Sequence, residues 1–313
     1  MCSTAIINSV NPITRHIAVA INPTASFGRT RDVGPAVVDA LLAAGHHVRA
    51  LKEPNAELLR IAVARAVDDR VDALVVVGGD GMVSLAVNEL GDSGIPLGIV
   101  PSGTGNDTAR GLGIPVDDTV AAISGLLSAL GTAPRVIDVG VVRHGISETR
   151  FVGVVSAGFD ALVNDRANSW RRPRGKSRYT LALLRELLFL SSRRYDLVVD
   201  GVPTAVDAVL ISVANNVSIG GGMKVVPHAR VDDGRFDLFT VAPVGRFRLL
   251  RFFPKVFSGT HTQLDVVSFR TLERVRIDAD GVVAYADGER IGPLPIDIHV
   301  LPGALRVLAP GLI

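Results

Sequence analysis

The chain is almost without cysteine. Cys2 is the single thiol in 313 residues, which excludes an intramolecular disulfide and fits a reducing compartment. Aromatic residues are scarce at 5%. An excess of either charge is lacking too: 33 Lys and Arg stand against 31 Asp and Glu, a formal net charge of +2. Nucleic acid is therefore not expected as a partner, and any basic function has to be local. The longest apolar helical stretch, 180–190, is broken by Arg185 and Glu186 and falls far short of the ~20 residues a bilayer span needs. The first residues carry no basic segment followed by an apolar one, so no secretory signal is read there. Two familiar phosphate-binding patterns are also missing. No glycine loop is followed by Gly-Lys-Ser/Thr, and none reads as GxGxxG.

What is present is a well-buried chain, 48% hydrophobic and rich in Ala, Val and Leu, long enough for two domains. Over 14–137 short apolar runs (HIAVAIN, HHVRAL, ALVVV, PLGIV) alternate with helical patterns, among them PNAELLRIAVARAV with Asn55 as its N-cap. Such alternation predicts an α/β domain with a parallel sheet whose ligands sit at the carboxyl ends of the strands. Near 135–138 the texture changes. VIDVGVV, RFVGVVSAGF, YDLVVD, AVDAVLISVANN and FDLFTVAPV read as antiparallel strands, predicting a β-rich second domain over 138–299. Asp138 falls at the junction, as a turn residue or as a side chain facing the cleft. The last segment, IHVLPGALRVLAP, reads as two short strands.

The chemistry concentrates in two loops. LVVVGGDGMVSLAVNEL (74–90) is an apolar strand, a tight glycine turn and the start of a helix; IPLGIVPSGTGNDTAR (95–110) repeats the plan one unit later. Both loops leave a buried strand and enter a helix, so their N–H groups and the positive helix terminus favour an anion, most naturally phosphate. Gly78, Gly79, Gly81, Gly103 and Gly105 let the main chain come close to it. Asp80 and Asp107 would repel phosphate unless a cation lay between, and Mg²⁺ would supply one. One glycine turn after a strand is ordinary α/β chemistry; two in successive units, each with an Asp, point to a site.

GGDG followed about twenty residues later by PSGTGND resembles the catalytic domain of the diacylglycerol kinase family, which includes sphingosine and ceramide kinases and bacterial lipid kinases. GFDALVNDRAN (158–168) resembles its actinobacterial, mycobacterial branch. The resemblance runs from about residue 17 to the C-terminus. It implies a phosphofructokinase-like nucleotide domain, a β-sandwich-like second domain with helical inserts, and C-terminal strands (300–313) that return to the first domain. It implies ATP and Mg²⁺, with nucleotide contacts at Asn22, Pro23, Thr24, Ala25 and Ser26, at Gly78, Gly79, Asp80, Gly81, Met82, Val83, Ser84 and Leu85, and at Gly103, Thr104, Gly105, Asn106 and Asp107. Met82 and Leu85 depart from the family, which usually has Thr and Glu at those places. A hydroxyl contact to phosphate and one carboxylate are thereby missing.

Further on, the resemblance places a metal at the DDG turn, held by the Asp233 carboxylate and the carbonyls of Arg230 and Arg235. Oxygen-only ligands of that kind suit Mg²⁺ or Ca²⁺, although DDG by itself is also an ordinary hairpin turn. YADGER (285–290) likewise reads as a hairpin. The family pattern DGE assigns Asp287 as the base that takes the lipid hydroxyl proton, with Glu289 beside it, so Asp287, Glu289 and Asp80 are the expected catalytic residues. The implied reaction is transfer of the ATP γ-phosphoryl group to diacylglycerol. Another lipid alcohol, a soluble substrate as in NAD kinases, and a regulator without catalysis are the alternatives.

Two segments combine basic and apolar residues: 166–178, with six Arg and Lys, and GRFRLLRFFPKVFSG (245–259), with four basic residues beside four Phe. Both fit transient docking on anionic lipid headgroups, which predicts a cytoplasmic protein peripheral to the inner face of the membrane. For 245–259 a core-facing stripe with a solvated basic edge explains the pattern equally well. A homodimer is compatible with the sequence.

Overall fold

The computed structural model describes residues 14–22, 32–158 and 191–311, with Arg166, Leu181 and Arg185 in helical turns between them. The segment 23–31 and most of 159–190 lie outside the described residues. The expected contacts of Pro23, Thr24, Ala25 and Ser26, and nearly all of the basic segment 166–178, fall there.

The first half alternates as its periodicity predicts. Strands β1 (His16–Ile21), β2 (His47–Leu51), β3 (Ala73–Gly78) and β4 (Leu97–Pro101) pair in parallel in the order β2-β1-β3-β4. Helices α1 (Val33–Ala43), α2 (Ala56–Asp68), α3 (Asp80–Leu90), α4 (Asp107–Gly111) and α5 (Thr119–Leu130) connect and cover them. β3 and β4 are buried at every position, as their unbroken apolar runs require of central parallel strands. Asn55 caps α2 by accepting the Leu58 N–H at 2.9 Å, and Asp118 caps α5 through the Ala121 N–H. Each satisfies an N–H that the helix start leaves without an intrahelical partner.

The sheet does not stop at the expected boundary. Strand β5 (Arg135–His144) runs through 137–138 and pairs with β6 (Ser147–Phe151) and with the 13-residue β16 (Ile296–Leu308). β16 is one long strand with a register shift between Leu301 and Leu305, where the sequence suggested two. Its end, Val307 and Leu308, lies parallel to Leu97 and Gly98 of β4. Its start pairs antiparallel with β13 (Arg274–Asp278), which continues to β8 (Arg193–Val199) and β9 (Val202–Ala208). Ten strands thus form one sheet through both halves.

Against the second half lies a six-stranded antiparallel sheet, in the order β12 (Val267–Leu272), β11 (Phe236–Val241), β10 (Leu210–Ala214), β7 (Val154–Gly158), β14 (Val283–Ala286) and β15 (Glu289–Pro293). Phe151, Tyr195, Ile211, Phe236, Leu272 and Ile277 are fully buried between the two sheets, giving a sandwich. Helix α6 (Arg246–Ser258) lies outside it. Among the described residues no helix is long and apolar enough to cross a membrane.

Candidate active site

The two glycine loops meet. A Cβ on Gly79 would stand 3.1 Å from the Gly103 Cα, and one on Gly103 would collide with the Gly79 Cα and with Asn106 Oδ1. Only a residue without a side chain lets the backbones approach this closely. Asn106, at φ 55°, folds its amide back on the loop: its Oδ1 accepts the Gly103 N–H at 2.9 Å and its Nδ2 donates to the Gly103 carbonyl. Its side chain therefore shapes the loop. Ser102 Oγ is buried without a hydrogen-bond partner among the described residues.

At the start of α3, the Gly79 carbonyl accepts the N–H groups of Met82 and Val83. The first two N–H groups, of Asp80 and Gly81, are thus the helix-start donors left for a ligand. Met82 is buried and lies over Gly78; Val83 and Ser84 are buried as well, and Leu85 packs at the edge of the first core. What this stretch offers an anion is its main chain. Gly81 and Thr104 are exposed, and Asn22 continues β1 by donating its N–H to the Val77 carbonyl at 3.1 Å.

Four carboxylates converge on these loops. Asp80 Oδ1 accepts the Thr108 N–H at 3.0 Å, tying the GGDG turn to α4. The other oxygen, Oδ2, lies 2.8 Å from where a Gly105 Cβ would be, and Asp107 Oδ2 lies 3.2 Å from the same point. Asp107 accepts the N–H groups of Gly221 and Gly222, at 2.7 and 2.8 Å. Burial pushes its carboxyl above the usual range, Gly221 opposes that, and the nearby Asp80 charge adds to it. Glu289 Oε1 reaches within 3.8 Å of a Cβ position on Gly81.

Asp287 completes the group from the second half. At φ 48° it heads the turn between β14 and β15, and its side chain is clasped by the chain entering β7. Oδ1 accepts the N–H groups of Gly153 and Val154 at 2.9 and 3.0 Å, and Oδ2 accepts that of Val152 at 2.9 Å. The Asp287 N–H in turn donates to the Val154 carbonyl. Enclosure of the carboxylate raises its pKa to about 6; the three N–H groups pull it down, and the Asp80 charge contributes to the rise. A carboxylate has about four acceptor positions. Three are held by backbone, which leaves one on Oδ2.

Several residues at the site carry no motif. The consecutive side chains Asn215 and Asn216, both buried, join the halves. Asn215 Nδ2 donates to the carbonyls of Asp138 and Val152, and Asn216 Nδ2 to that of Asp107 at 3.0 Å. The glycine run after them, at φ 67°, 88° and 104° for Gly220, Gly221 and Gly222, turns its N–H groups onto Asp107. The run itself is visible in the sequence; its partner, more than a hundred residues away, is not.

The DDG turn is fastened to β5 through Asp138. Asp233 is exposed and accepts the Arg235 N–H at 3.1 Å, while its neighbour Asp232 pairs with Arg135 and Arg230. Asp138 is a buried fastener, not a cleft residue: its carboxylate accepts the N–H groups of Gly234 at 2.7 Å and Gly303 at 2.8 Å.

A parallel α/β half that presents two glycine loops, facing a β-sandwich half that supplies an enclosed carboxylate, defines a two-lobed phosphotransferase. The comparisons with known proteins sharpen this class. Residues 16–142 match the diacylglycerol kinase catalytic domain, and residues 153–309 match the YegS C-terminal NAD kinase beta sandwich-like domain. A diacylglycerol kinase of Mycobacterium tuberculosis is 38% identical over 96% of this chain and 93% of its own length. One of Bacillus subtilis is 27% identical over 76% and 78%. A crystal structure of a Bacillus anthracis diacylglycerol kinase superposes with a TM-score of 0.68 at 20% identity, covering 95% of this chain and 97% of that one. An Archaeoglobus fulgidus NAD kinase solved with ATP gives 0.52 at 15%, over 91% and 90%. These two structures speak for the fold. The chain belongs to the diacylglycerol kinase family and is a lipid kinase.

Proposed function

We propose that the protein transfers the γ-phosphoryl group of ATP to the free hydroxyl of diacylglycerol, giving phosphatidic acid. The observation that supports the reading best is that the turn carrying Asp287 and Glu289 reaches the GGDG loop from the opposite half, Glu289 Oε1 lying 3.8 Å from a Cβ position on Gly81, with the Asp80 charge adding to the raised Asp287 pKa. ATP phosphates fit the main-chain donors of Gly79–Gly81 and the Gly103–Gly105 loop, with the base and ribose toward Asn22.

Mg²⁺ fits the donor set. Asp80 Oδ2 and Asp107 Oδ2 lie on either side of Gly105; burial is the main cause of the raised Asp107 pKa, and the Asp80 charge adds a smaller repulsion that a cation would relieve. Among the described residues no three or more His, Cys, Asp or Glu side chains are grouped to hold a metal. Mg²⁺ commonly binds through one or two carboxylates and keeps water and substrate phosphates as its other ligands. Asp80 would hold it, with Asp107 adding charge. When bound, the ion neutralises charge on the transferring phosphoryl group.

The remaining work falls to the chain. An alcohol is a poor nucleophile at neutral pH, and Asp287 Oδ2 accepts its proton as transfer proceeds. Above pH 6 that carboxylate is ionised, and its raised pKa makes it a stronger base than a free one. The Gly153 N–H and its neighbours hold the carboxylate in position, and the rigid sandwich aligns it with the loops. The exposed Asp233 turn, with the carbonyls of Arg230 and Arg235, is proposed to take a separate Mg²⁺ or Ca²⁺ that stiffens it.

The test is phosphorylation by pure protein of mixed micelles carrying diacylglycerol, monoacylglycerol, a sphingoid base or an isoprenoid alcohol, with γ-labelled ATP and Mg²⁺. Label in phosphatidic acid at a rate well above the other acceptors is expected. Preference for another alcohol would replace diacylglycerol, and label in none would remove the lipid-alcohol reaction.

A further inference from the structure

Helix α6 presents an apolar face that no described residue buries. None of its residues is buried, and the two exposed phenylalanines among the described residues, Phe247 at 83% and Phe257 at 50%, are both on it, with Leu250 at 45%. Phe247, Leu250, Pro254 and Phe257 recur at helical spacing and so share one side. Phe252 and Val256 face the other way and pack partly against the sandwich, so the outward stripe is not the one that holds the helix in place. Arg248, Arg251 and Lys255 border the stripe. Arg248 pairs with Asp265 and lies over the Phe252 ring; Arg246, Arg251 and Lys255 form no ion pair among the described residues.

The helix is also tied to the active site. The Lys224 N–H donates to the Val256 carbonyl at 2.9 Å, and Gly259 lies against Pro227 and Lys224. Lys224 follows almost directly on Gly221 and Gly222, whose N–H groups hold Asp107. A surface touching α6 therefore lies one short loop from the cleft.

We infer that α6 is the element by which the enzyme docks on an anionic bilayer surface: Phe247, Leu250 and Phe257 enter the headgroup and acyl boundary, and Arg246, Arg251 and Lys255 meet lipid phosphates. The exposed apolar stripe, the cations beside it that form no ion pair among the described residues and the absence of acidic residues within the helix are complementary to such a surface. A neutral protein groove would leave those cations unmatched. The inference deepens the lipid-kinase reading and rests on it only for the purpose of docking, because binding can be measured without ATP.

The experiment compares the wild type, Phe247→Glu/Phe257→Glu and Arg251→Glu/Lys255→Glu, all at exposed positions, in two assays. The first is cosedimentation with vesicles of phosphatidylcholine alone or with phosphatidylglycerol. The second is turnover on vesicle-borne long-chain diacylglycerol against a short-chain, monomeric diacylglycerol. Expected are wild-type binding to the anionic vesicles only, a loss of about tenfold or more in each variant, and variants that keep short-chain turnover while losing vesicle turnover. Thermal midpoints matching the wild type show that the variants fold. Equal wild-type binding to both vesicles, or variant binding unchanged, overturns the inference. So does sedimentation velocity showing a wild-type dimer that the Phe variant abolishes, since a second copy would then be the occupant. Vesicle binding as expected with no lipid phosphorylated on either substrate would instead overturn the kinase reading and leave docking standing.

Discussion

Asp287 is held by three N–H groups and still has a pKa near 6, because enclosure and the charge of Asp80 outweigh what the hydrogen bonds return. The sign of the pH effect follows. Below that value the carboxyl is protonated and cannot accept the hydroxyl proton, so kcat/KM for ATP should rise with pH through about 6 and level off above it, as kcat/KM reports the free enzyme. A profile flat from pH 5 to 7.5 would contradict the assignment. Glycine at 103 is a second residue-scale requirement. Its neighbour across the gap is backbone, which cannot swing aside, so Gly103→Ala should part the two loops. Overpacking of this kind costs about 1–3 kcal/mol, and calorimetry should read it as ATP binding weakened by about tenfold or more.

At the scale of elements, what positions the site is a set of long-range clasps. α3 is joined to β6 through Asn88, which donates to the Arg150 carbonyl and accepts its N–H at 2.8 Å. The end of β10 reaches α4 through Asn216. Replacing Asn216 with Ala removes the donor to the Asp107 carbonyl and opens space beside Gly111, whose Cα backs onto the Asn216 amide. We predict a thermal midpoint lowered by about 2–5 °C together with a raised KM for ATP; an unchanged midpoint and KM would show that the clasp does not position α4. These clasps mark the limit of what the sequence displays. The strands and helices of the first half are legible from periodicity, and the GGDG and SGTG loops from their glycines, because both signals are local. The clasp on Asp287 is made of Val152, Gly153 and Val154 N–H groups, which carry no side-chain signature and lie about 134 residues from their acceptor. Asn215 and Asn216 read as the end of a strand, and only the fold shows them beyond it, between the halves. Met82 and Leu85 are explained by packing, Met82 over Gly78 and Leu85 against the first core.

Across the whole molecule, β16 is the strand that makes the two halves one. Its first part belongs to the sandwich and its last part extends the parallel sheet beside β4, a return that the family resemblance implies and that local periodicity alone does not announce. Leu305, Val307 and Leu308 at its end are buried, and each buried side chain of this kind contributes about 1.5–3 kcal/mol. A chain ending at residue 300 would also expose the β4 edge. Such a chain should lose its single cooperative unfolding transition in calorimetry, and retention of a wild-type transition would show that the halves do not depend on β16.

The central claim is that a carboxylate from the sandwich acts on a nucleotide held by the glycine loops. Its most direct test is Asp287→Asn, which preserves shape and the acceptor for two of the three N–H groups while removing the base. Label transfer from ATP to lipid should fall by about 10²–10⁴-fold, with ATP affinity by calorimetry nearly unchanged. Turnover equal to that of the wild type would contradict the account.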